Sequence, residues 1–336
     1  MNKKPYTMRS LASGAALAFL TVMAAGSLAS CRSSRPLVTF VVASDLHAQD
    51  VPDGRVRMEA VVNAANRQNA DFLIELGDFV RLDSAGQRLL RVWEGYAGPK
   101  YHVLGNHDVD RYTKEEYTAG MDMPGRYYSF DHGDFHFVVL DGDNLYDGQT
   151  YTPYARGNYG SRPSDIDYVD PEQLDWLRRD LAATDKRCIL FSHQSIDTQL
   201  KNGAAVREVL EAENRRAGCK KVVLALSGHN HSNYTKVIGG ITYMQINSAS
   251  YVWVGSPTQT ERRYPADVNR KYGGILKYSM TYTRPLYATV TLTRRGAKIK
   301  GVEADFVPPT PREIGLGDSL GVFPLTSSIA DAEVRW

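Results

Sequence analysis

Five short polar clusters in this 336-residue sequence each follow an apolar run: Asp45-Leu-His47, Gly77-Asp78, Gly105-Asn-His-Asp108, Ser192-His193 and Gly228-His-Asn-His231. They hold five of the eight histidines. Carboxylate, amide oxygen and imidazole are hard to borderline donors, which suit manganese, iron or zinc better than a thiolate-loving ion does. A lone Asp-x-His pair is an ordinary surface turn, and Gly-Asp is commoner still. Gly-Asn-His-Asp and Gly-His-x-His are selective. All five clusters in order, each at the end of an apolar run, are more than packing requires. The chemistry they offer is metal-assisted attack on a polar bond.

The elements that must hold these clusters alternate in type. Residues 37–43 form an apolar run closing on a polar turn, the pattern of a strand buried on both faces. Helical spacing follows at 55–68, a strand at 71–76, a second helix including 89–96, and a third strand at 101–104. Residues 127–130 and 135–140 flank Asp131-His-Gly-Asp134, a hairpin turn. Asp170-Pro171 opens a helix, with Asp as the cap and Pro in the first turn. A strand at 188–191, a helix at 204–216 and a strand at 222–226 complete the pattern, and hairpins are expected around Gly239-Gly240 and Arg295-Gly296. The fold class is α/β with an antiparallel addition. In open α/β sheets, ligands bind beyond the carboxyl ends of the strands, where all five clusters stand. Segments 141–169 and 251–287 lack periodicity and are rich in tyrosine. Loops of that length are uncommon unless functional. Tyr146, Tyr151, Tyr154 and Tyr159 could stack on a substrate or pack the loop.

The ordered series Asp-x-His, Gly-Asp, Gly-Asn-His-Asp, His, Gly-His-x-His resembles the calcineurin-like metallophosphoesterase superfamily over about residues 37–250. The resemblance implies a four-layer α/β/β/α sandwich. It also implies two transition-metal ions (manganese, iron or zinc) at the strand ends. Asp45, His47, Asp78 and His231 would hold one ion, and Asp78, Asn106, His193 and His229 the other, with Asp78 bridging. His107 would be the catalytic histidine, paired with Asp108. Physical chemistry agrees with these roles. Two cations about 3.5–4 Å apart need a shared anion between them, and a hydroxide bridging them can attack phosphorus in line. His107 cannot easily be a ligand beside Asn106, because adjacent side chains diverge, so it is free to protonate a leaving oxygen. The reading is a hydrolase of phosphodiester or small phosphomonoester bonds, with the diester slightly ahead. A non-catalytic binding lipoprotein on the same fold and a metal-dependent amide hydrolase stay open beside it.

Departures from the pattern narrow the substrate. Protein Ser/Thr phosphatases of the superfamily carry Gly-Asp-x-x-Asp-Arg-Gly, whereas this chain has Gly77-Asp-Phe-Val-Arg-Leu82. Purple acid phosphatases place Tyr three residues after the bridging Asp, whereas Arg81 stands here. Arg81 and Arg111 follow the metal motifs closely, and either guanidinium could clamp a phosphate.

The N-terminus reads as an address. Lys3, Lys4 and Arg9 precede an apolar stretch at 11–28, which ends in Leu28-Ala-Ser-Cys31. It resembles a bacterial lipoprotein leader (1–30), cut before a lipidated Cys31 and followed by a tether at 31–36. The phosphoesterase domain is expected at 37–305 and an irregular arm at 306–336. The protein is accordingly expected in the bacterial cell envelope, held to a membrane by its lipid. Removing the three basic leader residues from the 40 in the chain leaves 37 against 38 acidic ones, a balance that gives no nucleic-acid footprint. Cys188 and Cys219 are expected as two buried thiols.

Overall fold

Strand β1 (Val38–Ala43) shows why its sequence is apolar at every position but Thr39: Val38, Phe40 and Val42 enter one core, and Val41 and Ala43 enter another. The strand has protein on both faces, so the usual polar alternation is lost. The computed structural model describes residues 37–255, 260–272 and 274–336. The leader, Cys31 and the tether read from the sequence lie outside them.

After β1 come α1 (Gly54–Gln68), β2 (Phe72–Glu75), α2 (Ser84–Trp93), β3 (Lys100–His102), a 3₁₀ turn (Asn106–Val109) and α3 (Lys114–Gly120). The middle of the chain gives β4 (Tyr128–His132), β5 (Phe135–Leu140), β6 (Asn144–Tyr146), β7 (Tyr151–Pro153), α4 (Pro171–Ala183), β8 (Arg187–Ser192), α5 (Gly203–Ala217) and β9 (Val222–Ser227). The remainder is β10 (Tyr234–Ile238), β11 (Ile241–Gln245), β12 (Tyr251–Trp253), α6 (Ala266–Lys271), α7 (Ile275–Tyr278), β13 (Ser279–Thr281), β14 (Ala288–Thr293), β15 (Gly296–Gly301), β16 (Ser319–Leu320), β17 (Phe323–Pro324) and β18 (Ala332–Arg335).

Two six-stranded sheets carry the architecture, in the orders β18-β15-β14-β1-β2-β3 and β10-β11-β9-β8-β5-β4. β1, β2 and β3 run parallel, as do β5, β8, β9 and β11. Facing side chains of the two sheets form an aromatic core: Phe72 stacks on Phe40 at 4.6 Å and meets Phe137 edge-on at 5.0 Å. Helices α1 and α2 cover the outer face of the first sheet through Met58, Val61 and Trp93. Helices α4 and α5 cover the second through Leu177, Val206 and Leu210. The layers are therefore α/β/β/α, as expected.

Four expectations are refined. Helix α2 begins at Ser84, five residues before its first apolar position, because the Asp83 side chain accepts from the N–H groups of Ala85 and Gly86 and caps it. Its first turn is small and polar and shows no apolar period. The expected irregular arm at 306–336 ends in β18, an edge strand of the first sheet paired with β15. Val334, in that strand, joins the core between the sheets. Cys188 is buried, but Cys219 is exposed just after α5, and both thiols are free. The two tyrosine-rich segments are structured: β6 pairs with β7, and β12 pairs with β13 around α6 and α7.

Candidate metal centre

The five clusters converge where parallel strands end. Asp45 and His47 follow β1, Asp78 follows β2, Asn106 and His107 follow β3, His193 follows β8, and His229 and His231 follow β9. The backbone there is unusual. Asp45, His47, Asp78, His229 and His231 all have positive φ, between 43° and 72°. Left-handed backbone is uncommon for residues with a Cβ and collects at functional sites. It turns successive side chains inward from short loops. Gly77, at φ 95°, could carry no Cβ, which would stand 2.7 Å from both Gly105 N and His193 Nδ1.

The described residues form two groups able to hold a cation, Asp45–His47–His231 and Asp78–His193–His229. Asp78 stands between them: its Oδ2 lies 3.2 Å from His193 Nε2 and 3.6 Å from His47 Nε2. Asn106 Oδ1 lies 3.2 Å from His193 Nε2 and 3.1 Å from His229 Nδ1. His231 Nε2 lies 3.1 Å from Asp45 Oδ1. All seven expected ligand positions are thus brought together.

The donors fit metal ions. His193 Nδ1 is 2.7 Å from the Leu76 carbonyl, which accepts the N–H there and turns Nε2 toward the other donors of the centre. That Nε2 faces two acceptors, Asp78 Oδ2 and Asn106 Oδ1, and a second ring nitrogen, His229 Nδ1, at 3.2 Å. One proton cannot satisfy such a cluster, but a cation can. Asp45 Oδ2 accepts from Ser44 Oγ and His229 N, while its buried Oδ1 faces imidazole nitrogens, His231 Nε2 at 3.1 Å and His193 Nε2 at 4.0 Å. A buried carboxylate oxygen is costly without a positive partner, which a cation shared with these imidazoles would supply.

The electrostatics agree. Burial pushes the Asp78 carboxyl up, but His193, His107 and His47 outweigh it and hold it well below the usual range. Burial likewise opposes the charge on Asp45, which His231 and His193 reverse. Burial, then His193, lowers His229 to about 4, so its ring stays neutral.

His107 stands apart from the ligands, with its side chain half exposed. Its backbone N–H donates to Asp78 Oδ1 at 2.8 Å. Its Nδ1 pairs with Asp110 Oδ2 at 2.9 Å, not with Asp108. This corrects the expected His107–Asp108 pair. In a 3₁₀ turn, neighbours diverge by about 120° and residues three apart eclipse, so Asp110 and not Asp108 shares the face of His107. Asp108 points inward. Its carboxylate accepts from Asp78 N, Phe79 N, Gly105 N and Tyr117 Oη at 2.8–3.0 Å. It positions the loops that carry Asp78 and Asn106. Burial works against a proton on His107, but Asp78 and the Asp110 pair prevail and raise it to about 9.

A cavity of about 590 Å³ opens over this centre. Arg81 lines it, with Nη1 on Asp50 at 2.7 Å and a buried Nε that has no partner among the described residues. Arg111 does not join it: the chain turns outward after the 3₁₀ turn, and Arg111 is exposed, with its carbonyl taken by Arg156. Three contributors carried no site assignment from sequence. Asp50 meets His47 Nδ1 at 3.5 Å, Asp110 holds His107, and Tyr251 stacks on His47 at 5.1 Å. The two aspartates each sit three residues after their histidine, a spacing legible in sequence. Tyr251 comes from 204 residues away and had no local signal.

A four-layer sandwich with a two-centre cluster of carboxylate and imidazole at its strand ends defines the dinuclear metallohydrolase class. Within that class, residues 38–233 match the calcineurin-like phosphoesterase model, and the chain belongs to that family. It is 26% identical over 255 residues to a manganese-dependent ADP-ribose/CDP-alcohol diphosphatase of Oryza sativa subsp. japonica, over 59% of this chain and 79% of that protein. It is 31% identical over 137 residues to the protein of the same name from Arabidopsis thaliana, over 33% of this chain and only 44% of that relative's length. A dimetal phosphatase structure from Danio rerio shares the fold, with a TM-score of 0.57 at 16% identity, over 81% of this chain and 99% of that one.

Proposed function

We propose that this chain hydrolyses small phosphate diesters or diphosphate-linked nucleotides with two bound divalent ions, manganese being the first candidate. The observation that carries this reading is the pair of donor groups on either side of Asp78, on the floor of an open cavity. Asp45, His47 and His231 would hold one ion, and His193, His229 and Asn106 Oδ1 the other, with Asp78 shared. Bound there, the ions would activate water and neutralise phosphoryl oxygens. The chain's own groups do the rest. Asp110 keeps a proton on His107 Nδ1, so Nε2 is the nitrogen that can give a proton to the leaving oxygen. Arg81, partly exposed on the cavity wall with Nη1 held by Asp50, offers its guanidinium to a phosphoryl oxygen. Trp253, 48% exposed on the cavity wall, offers a flat face to a base. The diphosphatase names of the two plant relatives support a nucleotide substrate.

The test is hydrolysis by the manganese-loaded full chain of ADP-ribose, CDP-choline, bis-p-nitrophenyl phosphate and p-nitrophenyl phosphate, with His107→Ala as control. Cleavage of the first three in preference to the monoester, lost in the variant, is expected. Exclusive cleavage of the monoester would overturn the substrate assignment.

We also propose that the chain is a lipoprotein of a bacterial envelope, supported by Lys3, Lys4, Arg9, the apolar stretch and Leu28-Ala-Ser-Cys31. Among the described residues, no helix is long and apolar enough to cross a membrane. Metabolic labelling with a fatty-acid analogue should be lost in Cys31→Ser.

A further inference from the structure

The tyrosine-rich segment between β5 and α4 reaches into the metal centre at one point, Tyr159. Its hydroxyl donates its only proton to Asp110 Oδ1 at 2.5 Å. It accepts from Asn106 Nδ2 at 3.2 Å and stands 3.3 Å from His107 Nδ1. A phenol has one donor and two lone pairs. With the proton committed to Asp110, only the NH₂ end of Asn106 can face Tyr159. The amide oxygen must then face His193 and His229, which is where it lies. A flipped amide would aim two N–H donors at the cation position and repel it.

The segment is braced to hold this hydroxyl in place. Tyr154 is fully buried, stacks on the Tyr159 ring at 4.7 Å and bonds Asp167 through its own hydroxyl. Ala155 bridges to Thr113, and Arg156 donates to the Arg111 carbonyl and pairs with Glu116. The insertion is therefore fastened along the segment that follows the Gly-Asn-His-Asp motif.

We infer that Tyr159 is a positioning residue of the metal centre, which selects the ligating face of Asn106 and holds Asp110 against His107. The inference rests on the two-ion reading above. Groups that orient a metal ligand typically change metal affinity by about 10–100-fold when removed.

The test is a calorimetric titration of Mn²⁺ into the chelator-stripped full chain, with Tyr159→Phe and Tyr154→Phe alongside. Tyr159→Phe is expected to bind one Mn²⁺ as the wild type does and the second about 10-fold more weakly, with kcat lowered and KM within about twofold. Tyr154→Phe keeps the ring that stacks on Tyr159 and loses only the bond to Asp167, so it is expected to lower the melting temperature while leaving both affinities unchanged. Two wild-type dissociation constants in Tyr159→Phe would overturn the inference. So would an equal loss of the second ion in both variants, which would reduce Tyr159 to general bracing. A wild-type chain that takes up fewer than two Mn²⁺ would overturn the two-ion reading itself, an outcome visible before either variant is compared.

Discussion

Replacing Asp108 with asparagine separates two accounts of this residue. In the structure it is a buried anchor whose four partners all donate to it. The substitution keeps the shape but replaces one oxygen with NH₂. The least costly orientation puts that NH₂ toward Tyr117, whose hydroxyl can turn wholly to Val80 O, 3.0 Å away. The Phe79 N–H, now at 2.9 Å from Asp108 Oδ1, is then left buried without a partner. An unmade buried donor costs about 1–3 kcal/mol. That cost of about 1–3 kcal/mol lowers the melting temperature of a chain this long by roughly 2–5 °C. Asp110→Asn, at a side chain 40% exposed, should change it by less than about 2 °C, in keeping with the small cost of surface substitutions. Its effect should fall on turnover, by about 10-fold or more if His107 is the acid. Differential scanning fluorimetry and steady-state kinetics on both variants decide the matter. A stable Asp108→Asn with low kcat, beside a fully active Asp110→Asn, would refute the assignment and restore Asp108 as the partner of His107.

Asp78→Asn removes the anion that both donor groups share, so elemental analysis should find fewer than two metals per chain and activity should fall by at least about 100-fold. Metal bound only to the folded chain stabilises it. Adding Mn²⁺ at about 100 times its Kd to the chelator-stripped protein should contribute roughly 2.7 kcal/mol, read as a rise in melting temperature of several degrees. Phe72→Ala should destabilise by about 3–5 kcal/mol in a denaturant titration, because Phe72 contacts Phe40, Phe130 and Phe137 between the sheets. His136 is held between Asp131 at 2.7 Å and Asp180 at 2.8 Å. Burial works against its charge, yet these two carboxylates raise its pKa above 6.5. Folded-state protonation therefore stabilises fully below pH 6.5 and fades as pH rises through the raised value. His136→Gln should flatten that slope in melting curves taken from pH 6 upward.

Much of the centre is legible in the residues themselves. Short apolar runs such as 37–43 read as strands buried on both faces, and a polar cluster at the end of such a strand lies at the sheet's carboxyl edge. Asp45, His47, Asp78, Asn106, His193, His229 and His231 stand in those clusters, and their division between two cation sites is what the resemblance to the calcineurin-like family implied. The capped start of α2 and the edge strand β18 were illegible, because the first has no apolar period and the second is defined by its pairing with β15.

What only the tertiary structure decided is direction. A 3₁₀ turn sends His107 out and Asp108 in and brings Asp110 to the histidine, a choice of backbone angle that residue identity alone does not make. Tyr159 and Tyr251 reach the centre from 52 and 204 positions away from the histidines they meet. Such contacts depend on how loops close over packed sheets, and no local period or propensity encodes them. Arg81 and Arg111 have the same chemistry and similar distances from their motifs, yet one lines the cavity and the other faces solvent. The sequence determined which groups are available for chemistry; the packing of two sheets and one fastened insertion determined which of them face one another.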